Sequence, residues 1–568
     1  MLARHEADIL VIGGGAAGAY AAIKAHDQGA RVLLICKGVL GRSGCSVTFG
    51  YPGSIGKSAV TVEDPEKDFR NKLVNYDFFP DQDFLKALIP YAKKLYPEFE
   101  QWGLYFRRTE EGDLVPGRII ITPKMGNSGK GIMDILRAEV LRRRIPCHEE
   151  TTATALLTQG DRAVGAMAFD YLHGTLLAIR AKCVILATGH TNYFWTRSTG
   201  TREMCGNGLA MAYRAGAELQ GVEIIWWHFG DIAYPASWCR LHNYPGPLAG
   251  DPEVAHYFNS AGEDFFNSDR VSRFQPSYNL QSRALVQQIR QGKARKDGGY
   301  FASYRHVDPE AFRAYSYQVQ FYDKLGLDFT RDLIECAMSG HQMRGGVRAD
   351  ASMEATLPNL FTAGSVAGNY VTGIITVCYE AETAAAAAVK RARAMEMPAV
   401  EERQIEAEVQ RITGYLARAG GAGPRPAQVK RRIREIMYDK MDFIKSEEKM
   451  RAALGEFAQI RAELLPRMSP GTATHHFNYD LVDAVDAEDM LECVELITQA
   501  SLLRRESRGP FYREDCPRTD NANWLRHIRI RREDGGPRLW TAPVDLKYLT
   551  PQEVEERDAE LYRTWAYA

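Results

Sequence analysis

Cysteine is scarce and scattered in this 568-residue chain: there are ten, the closest pair being Cys36 and Cys45, nine positions apart, and there is no CxxC. Such spacing excludes a disulfide-stapled secreted scaffold, thioredoxin-type redox chemistry, zinc ribbons and local iron–sulfur cassettes, and no metal site is expected. Neither sign of charge is in surplus, since 71 Lys+Arg against 72 Asp+Glu leave −1. Binding a nucleic-acid backbone needs a basic excess, so no nucleic acid is expected. The runs Lys430-Arg431-Arg432 and Arg526 to Arg532 read as solvated faces. Long apolar runs are missing as well, none reaching the ~18–20 residues of a direct membrane span. Met1 to Asp8 carries His5, Glu6 and Asp8 where a secretory signal has a basic and then an apolar run, which points to a cytoplasmic protein.

What is present is enough chain for three or four compact units at ~150 residues each. Asp8–Ile12 reads as a strand, Ala16–Ala25 as a small-residue helix and Arg31–Ile35 as a second strand, a β-α-β unit. Further buried strands read at Cys183–Leu186, running into Ala187-Thr188-Gly189, and at Asn359–Gly364, so this domain is discontinuous. Between 225 and 335 aromatics are dense (Trp226, Trp227, Phe229, Tyr234, Trp238, Tyr244, Tyr257, Phe258), as in an inserted α+β domain. From about 400 to 500 the pattern is long, charged and amphipathic, a helical bundle with a turn at Ala419–Pro426. The end of the chain, with Pro517, Gly535, Gly536, Pro537 and Pro543, reads as an irregular tail that contacts a neighbour.

Gly13, Gly15 and Gly18 form GxGxxG after a strand and at a helix start. Glycine permits the tight turn and close backbone approach, and the helix N-terminus offers free N–H groups to a pyrophosphate. A βα turn without ligand is the alternative. The second strand ends at Cys36-Lys37 with no carboxylate for a ribose, which disfavours a standard NAD site and leaves FAD. Residues 36–50 gather hydroxyls and glycines, suited either to a flat ring system or to a plain polar loop.

Seven segments together resemble the flavoprotein superfamily of fumarate reductase, succinate dehydrogenase, L-aspartate oxidase and adenylylsulfate reductase alpha subunits. They are Gly13–Gly18; Lys37 with Arg42-Ser43; Ala187-Thr188-Gly189; Gly206-Asn207-Gly208 with Met211 and Arg214-Ala215-Gly216; Asn259–Glu263; His341–Val347 with Leu360–Gly364; and Ser507-Arg508-Gly509, Tyr512–Asp515 and Asn523-Trp524-Leu525. The resemblance spans essentially the whole chain. It implies an α/β Rossmann-like FAD-binding domain (1–224 with 336–398), an inserted α+β capping domain (225–335), a C-terminal helical domain (399–530) and a tail (531–568). It assigns FAD contacts to Gly13, Gly15, Ala16, Ala17 and Gly18, and to Cys36, Lys37, Arg42, Ser43, Gly44 and Cys45. Ala187, Thr188, Gly189 and Asn207 follow, with Gly364, Ser365, Ile374 and Ile375 near the helix expected to face the flavin's pyrimidine end.

The same resemblance gives His228 and His341 substrate-side roles, although His228 beside two tryptophans also suits a core histidine, and His341 a strand end. Arg283 resembles the family's proton-delivering arginine, or anchors an anionic substrate, or forms a surface salt bridge; Ala284 replaces the family's following Asp. Two departures matter. Gly44 stands about where respiratory members link flavin to a histidine, so FAD is expected to be non-covalent. Asn369-Tyr370-Val371 lacks the family's substrate arginine, and Ser365 replaces a common acid. Losing a charge-assisted contact of roughly 1.5–3 kcal/mol argues against fumarate, succinate or aspartate, and leaves Arg344, Arg348 and Tyr370 as substrate-side candidates. The expected function is an FAD-dependent oxidoreductase passing a hydride between flavin N5 and a small, anionic organic substrate. An adenylylsulfate-reductase-like protein forming a sulfur adduct at N5, a flavin binder without catalysis and an electron-transfer flavin subunit remain alternatives. With no cluster in the chain, an iron–sulfur or other electron-transfer partner is expected, and an oligomer is compatible with the tail.

Overall fold

The structure, a computed structural model, describes residues 2–48, 64–106, 128–234, 256–266, 278–306 and 322–563, with positions 108, 110, 112 and 309 besides. Phe49, Gly50, Trp238 and Tyr244 lie outside the described residues. A seven-stranded sheet is the foundation. Strands β1 (Leu2–Ile12), β2 (Val32–Ile35), β3 (Cys147–His148), β4 (Thr151–Gln159), β5 (Arg162–Asp170) and β6 (Thr175–Leu186) run in the order β3-β2-β1-β6-β5-β4. β14 (Leu360–Thr362) adds to β6 in parallel, while β6, β5 and β4 are antiparallel neighbours. β1 begins at Leu2, six residues earlier than the apolar run at Asp8 suggests. Its first half alternates between exposed and half-buried residues, and pairing with β6 from Leu2↔Leu176 carries the extension. The helix Ala16–Asp27 crosses from β1 to β2 and packs on the helix Ile374–Arg393. Both present buried alanines, Ala19, Ala21, Ala22 and Ala25 against Ala381, Ala384, Ala385 and Ala388, so the backbones approach closely.

The inserted region builds a five-stranded sheet from β8 (Ile225–Tyr234), β9 (His256–Phe258), β10 (Asp264–Phe266), β11 (Tyr300–Ser303) and β12 (Ile334–Met343), in the order β10-β9-β11-β12-β8. Its core gathers Phe229, Tyr257, Tyr300, Tyr304 and Tyr322, which accounts for the aromatic density of this stretch. Helices Glu402–Ala417, Pro426–Lys440, Glu447–Gln459 and Tyr479–Leu503 form the bundle, and β15 (Ile444–Lys445) reaches β16 (Tyr512–Arg513). No helix among the described residues is long and apolar enough to cross a membrane.

Two sequence expectations are overturned. The tail is ordered: β17 (Arg526–Glu533) and β18 (Gly536–Pro543) form an antiparallel hairpin, followed by the helix Pro551–Arg563. Asp534-Gly535 is its two-residue turn, and Gly536, which opens β18 opposite Glu533, takes φ +117. β7 (Leu219–Gln220) joins the hairpin to β13 (Gly346–Val347); Ile528 and Ile530 are buried, Arg526 and Arg529 half-buried and Arg531 and Arg532 exposed, so the basic run is solvated only at its end, where the strand leaves the sheet core. The other correction concerns Lys430, which is buried, whereas Arg431 and Arg432 beside it are exposed.

Candidate functional site

The glycine loop follows from close approach. A side chain on Gly13, whose φ is +122, would place Cβ 2.2 Å from the Ala187 carbonyl oxygen, and one on Gly18 would lie 1.8 Å from the Gly13 oxygen. Cys36 fills the floor, its Sγ where a Gly14 side chain would stand and 3.6 Å from Cys147 Sγ. The helix Ala16–Asp27 starts at Gly15 with no side-chain cap, and the helix Ile374–Arg393 starts at Gly373, φ +116, also uncapped. Ser46 Oγ, from the polar segment after β2, accepts the Ala16 N–H at 3.1 Å. Gly364, φ +74, leaves no room for a side chain beside Ala17. Thr188 Oγ1 is buried without a hydrogen-bond partner among the described residues. Two helix starts whose N-cap residue is a glycine, a glycine cradle and a hydroxyl with no hydrogen-bond partner among the described residues fit the pyrophosphate and ribityl oxygens of FAD.

Around this cradle, several predicted contacts are already engaged within the protein. Lys37 Nζ donates to Asp486 Oδ1 at 2.5 Å and Asn207 Oδ1 at 3.1 Å, while Asn207 Nδ2 donates to Asp489 at 2.7 Å. Lys430 reaches the other Asp486 oxygen at 3.0 Å, joining the β2 end to the bundle. Arg42 pairs with Asp134, and Ser43 Oγ donates to the Val39 carbonyl. Cys45 is a half-buried free thiol 3.8 Å from Asn192 Nδ2; burial pushes its pKa up. Glu380 accepts hydrogen bonds from the Gly364 N–H at 2.7 Å and Asn369 Nδ2 at 3.0 Å. Burial, only partly offset by these bonds, raises its pKa to about 8. Ile374 and Ile375 are buried at the start of their helix and Ser365 is half-buried.

A second cluster forms where β8 and β12 meet. His228 stands opposite Ser339, and the pairing slips between Gly340 and Gln342, making His341 the bulged residue. A bulge re-aims a side chain. Here it brings the His341 ring to 4.7 Å from the His228 ring and 5.8 Å from Trp226. His341 Nδ1 lies 2.6 Å from Thr199 Oγ1. Burial, then the nearby Arg344 cation, lowers the His341 pKa to about 4, so the ring is neutral at neutral pH. The pKa of His190, whose Nδ1 is buried without a hydrogen-bond partner among the described residues, is lowered to about 3 by burial and by His341.

Arg344 is 4% exposed and lies between the Tyr76 and Trp226 rings, 4.7 and 4.4 Å from their centroids. Its Nη1 donates to the Asn75 carbonyl at 3.2 Å and stands 3.8 Å from Asp77 Oδ2, while its Nε has no hydrogen-bond partner among the described residues. Burial raises the Asp77 pKa to about 6, with Arg344, Arg508 and Arg283 opposing, and burial lowers Arg344. For both groups burial outweighs the neighbouring opposite charge, which stands 3.8 Å away. Asp77 and Phe78 both have positive φ, 57 and 63, and Gly509 packs against the Asp77 carboxylate. Arg283, on the helix Tyr278–Arg290, is buried and within electrostatic reach of Asp77.

Of the proposed substrate-side residues, the structure brings together His228, His341 and Arg344, with Arg283 near Asp77. It separates Arg348, which pairs with Glu218 at 2.7 Å, and Tyr370, which stacks on Phe79 at 4.9 Å and shares a hydrogen bond with His527 Nδ1. Sequence reading missed Asp77, Tyr76, Asn192 and Thr199. None lies in a periodic or glycine-marked motif, and their relation to His341 and Arg344 exists only through the fold.

Comparison with known proteins agrees with this architecture. The FAD binding domain family model matches residues 8–378, and the fumarate reductase flavoprotein C-terminal model matches residues 430–558. The chain is 29% identical over 557 residues to a component polypeptide of the CoM/CoB fumarate reductase of Methanothermobacter marburgensis, covering 93% of this chain and 98% of that one. In fold it is similar to E. coli quinol fumarate reductase FrdA, with TM-score 0.84, 21% identity and coverage of 96% and 98%. Adenylylsulfate reductase from Archaeoglobus fulgidus gives TM-score 0.78 at 18% identity, with 97% of each chain covered. The chain belongs to the FAD-dependent flavoprotein oxidoreductase family that includes the fumarate reductase, succinate dehydrogenase and L-aspartate oxidase flavoproteins.

Proposed function

We propose that this oxidoreductase interconverts a saturated and an unsaturated small organic anion, held between the β8–β12 junction and a non-covalently bound FAD. The observation that carries this reading is the convergence of His228, His341 and buried Arg344 at that junction. When bound, FAD supplies the two-electron chemistry. Gly13, Gly15 and Gly18, with the helix start behind them, hold its pyrophosphate; Thr188, Gly189, Gly364 and the Gly373 helix start hold the remainder. Gly44 offers no side chain for a covalent flavin bond. Neutral His341, with His228 beside it, orients the substrate's oxygen atoms, the surrounding tryptophans exclude water, and Arg283 serves the proton or an anionic group.

Tyr370 turns to His527, so the Asn369-Tyr370 turn provides no cation, and this supports a substrate other than fumarate or succinate. The Methanothermobacter relative's name makes fumarate the first compound to test against that reading. Nine described cysteines are free thiols, which suits a reducing cytoplasm. Electrons then pass to or from a separate iron–sulfur or other carrier protein. The test is an anaerobic screen of organic acids against the purified yellow protein, following the flavin spectrum. Rapid reoxidation of reduced flavin by fumarate would overturn the argument against dicarboxylates, and flavin that stays on acid-precipitated protein would overturn non-covalent binding.

A further inference from the structure

The surroundings of His341 decide which of its nitrogens carries the proton. The segment Arg197–Gly200 is laced to β12 immediately before His341: Gly340 N–H donates to the Arg197 carbonyl at 3.0 Å and Thr199 N–H donates to the Gly340 carbonyl at 3.1 Å. Ser198 Oγ donates to the Asn192 carbonyl and accepts the Gly200 N–H at 2.9 Å, closing the turn on itself. Asn192 Nδ2 donates to the His341 carbonyl at 2.6 Å. Gly340 has no space for a side chain, since a Cβ would lie 2.4 Å from the Trp195 ring, whose Nε1 is anchored on the Met441 carbonyl at 2.8 Å. Thr199 is thus held at a set distance from the His341 ring by backbone bonds on both segments.

We propose that Thr199 is a positioning residue whose hydroxyl donates to His341 Nδ1 and holds the imidazole in the form protonated at Nε2. The Oγ1–Nδ1 separation is 2.6 Å, and among the described residues Nδ1 is the hydrogen-bond partner of that hydroxyl. A neutral imidazole has one N–H, so an Nδ1 that accepts forces the proton onto Nε2. His341 then acts as a hydrogen-bond donor toward an acceptor oxygen, a carboxylate or a carbonyl conjugated to the reacting carbon–carbon bond. It does not act as the base, and proton exchange passes to another group, with Arg283 the candidate. This rests on the substrate reading above, in which His341 touches substrate, and it narrows the substrate to compounds that present an acceptor oxygen there.

The experiment has two arms on the FAD-loaded protein. In the first, histidine-selective 15N labelling and long-range 1H–15N correlation report each imidazole nitrogen, with His341→Gln used to assign the signal. The wild type should show a pyridine-type Nδ1 and a pyrrole-type Nε2; Thr199→Val should mix the two forms, and Thr199→Ser should restore the original pattern. In the second, crotonate and fumarate are titrated anaerobically and followed by flavin absorbance. Thr199→Val should weaken binding of whichever perturbs the flavin by about five- to tenfold, and Thr199→Ser should recover it. A pyrrole-type Nδ1 in the wild type, or a Thr199→Val protein with unchanged tautomer, overturns the proposal. If neither acid perturbs the wild-type flavin, the second arm uses an acid found in the screen; if no acid of the screen perturbs it, the substrate reading fails, while the first arm alone decides the tautomer.

Discussion

Asp486, at the junction of the β2 end with the helical bundle, and Glu380, behind the Gly364 turn, are carboxyls with almost no solvent exposure. Their electrostatics run in opposite directions. Burial alone would raise both, yet Lys37 and Lys430 pull Asp486 far below the ordinary carboxylate range, whereas Glu380 has only neutral donors and rises to about 8. The junction is saturated: its cations and anions complete one another, and it locks two units together. On the β8–β12 side the Arg344 Nε and the His190 Nδ1 have no hydrogen-bond partner among the described residues. Incomplete satisfaction in a buried, polar pocket is what a ligand site looks like before its ligand is counted.

Breaking the saturated side should have the largest effect. Asp486→Ala removes the buried anion shared by Lys430 and the half-buried Lys37, leaving them Asp483 and the neutral Asn207, and is expected to cost ~3 kcal/mol in urea unfolding. A loss below ~1 kcal/mol, the size of an exposed pair, would remove the distinction between the two regions. Glu380 tests the sign of the other. Its folded pKa of about 8 exceeds the ordinary 4.5, so the folded chain keeps a proton that the unfolded chain releases. Its stabilising contribution is therefore full below pH 4.5 and is lost as pH rises through about 8. Glu380→Gln, which retains an acceptor for the Gly364 N–H, should flatten the fall in stability across that window; an unchanged slope would show that Glu380 is ionised. The smallest effect on stability is expected at the pocket itself. His341→Leu should change unfolding free energy by no more than ~1 kcal/mol. Turnover with an acid found in the screen should fall about 100-fold, as when an oriented donor is removed. A large stability loss with unaltered turnover would move His341 into the structural class.

Legibility divided along the same line. Gly13-Gly14-Gly15 and the strands flanking them could be read because a tight βα turn constrains consecutive residues, and the aromatic insertion could be read from composition. Lys430 could not, since its partners Asp483 and Asp486 lie 53 and 56 positions away and one turn apart on another helix. The hairpin after Arg526 was hidden because Gly535-Gly536 signals a turn and a disordered end alike, and only pairing with Leu219-Gln220 tells them apart. Arg344 and Arg348 differ by one helical-turn spacing in sequence, yet one lies between two rings and the other pairs with Glu218, because the chain turns at Gly345-Gly346 between them.

By itself the sequence determined the dinucleotide domain, its discontinuity, the place of the inserted sheet and bundle, and the glycine motif after the first strand, since each rests on local backbone geometry or on periodic burial. Only the tertiary structure decided which polar residues satisfy one another. Lys37 and Lys430 were drawn into the junction, Tyr370 was turned to His527, and a one-residue bulge set His341 beside His228 and Thr199. The physical reason is that hydrogen bonds and ion pairs act over about 3–4 Å in space, a distance that spacing along a chain does not encode.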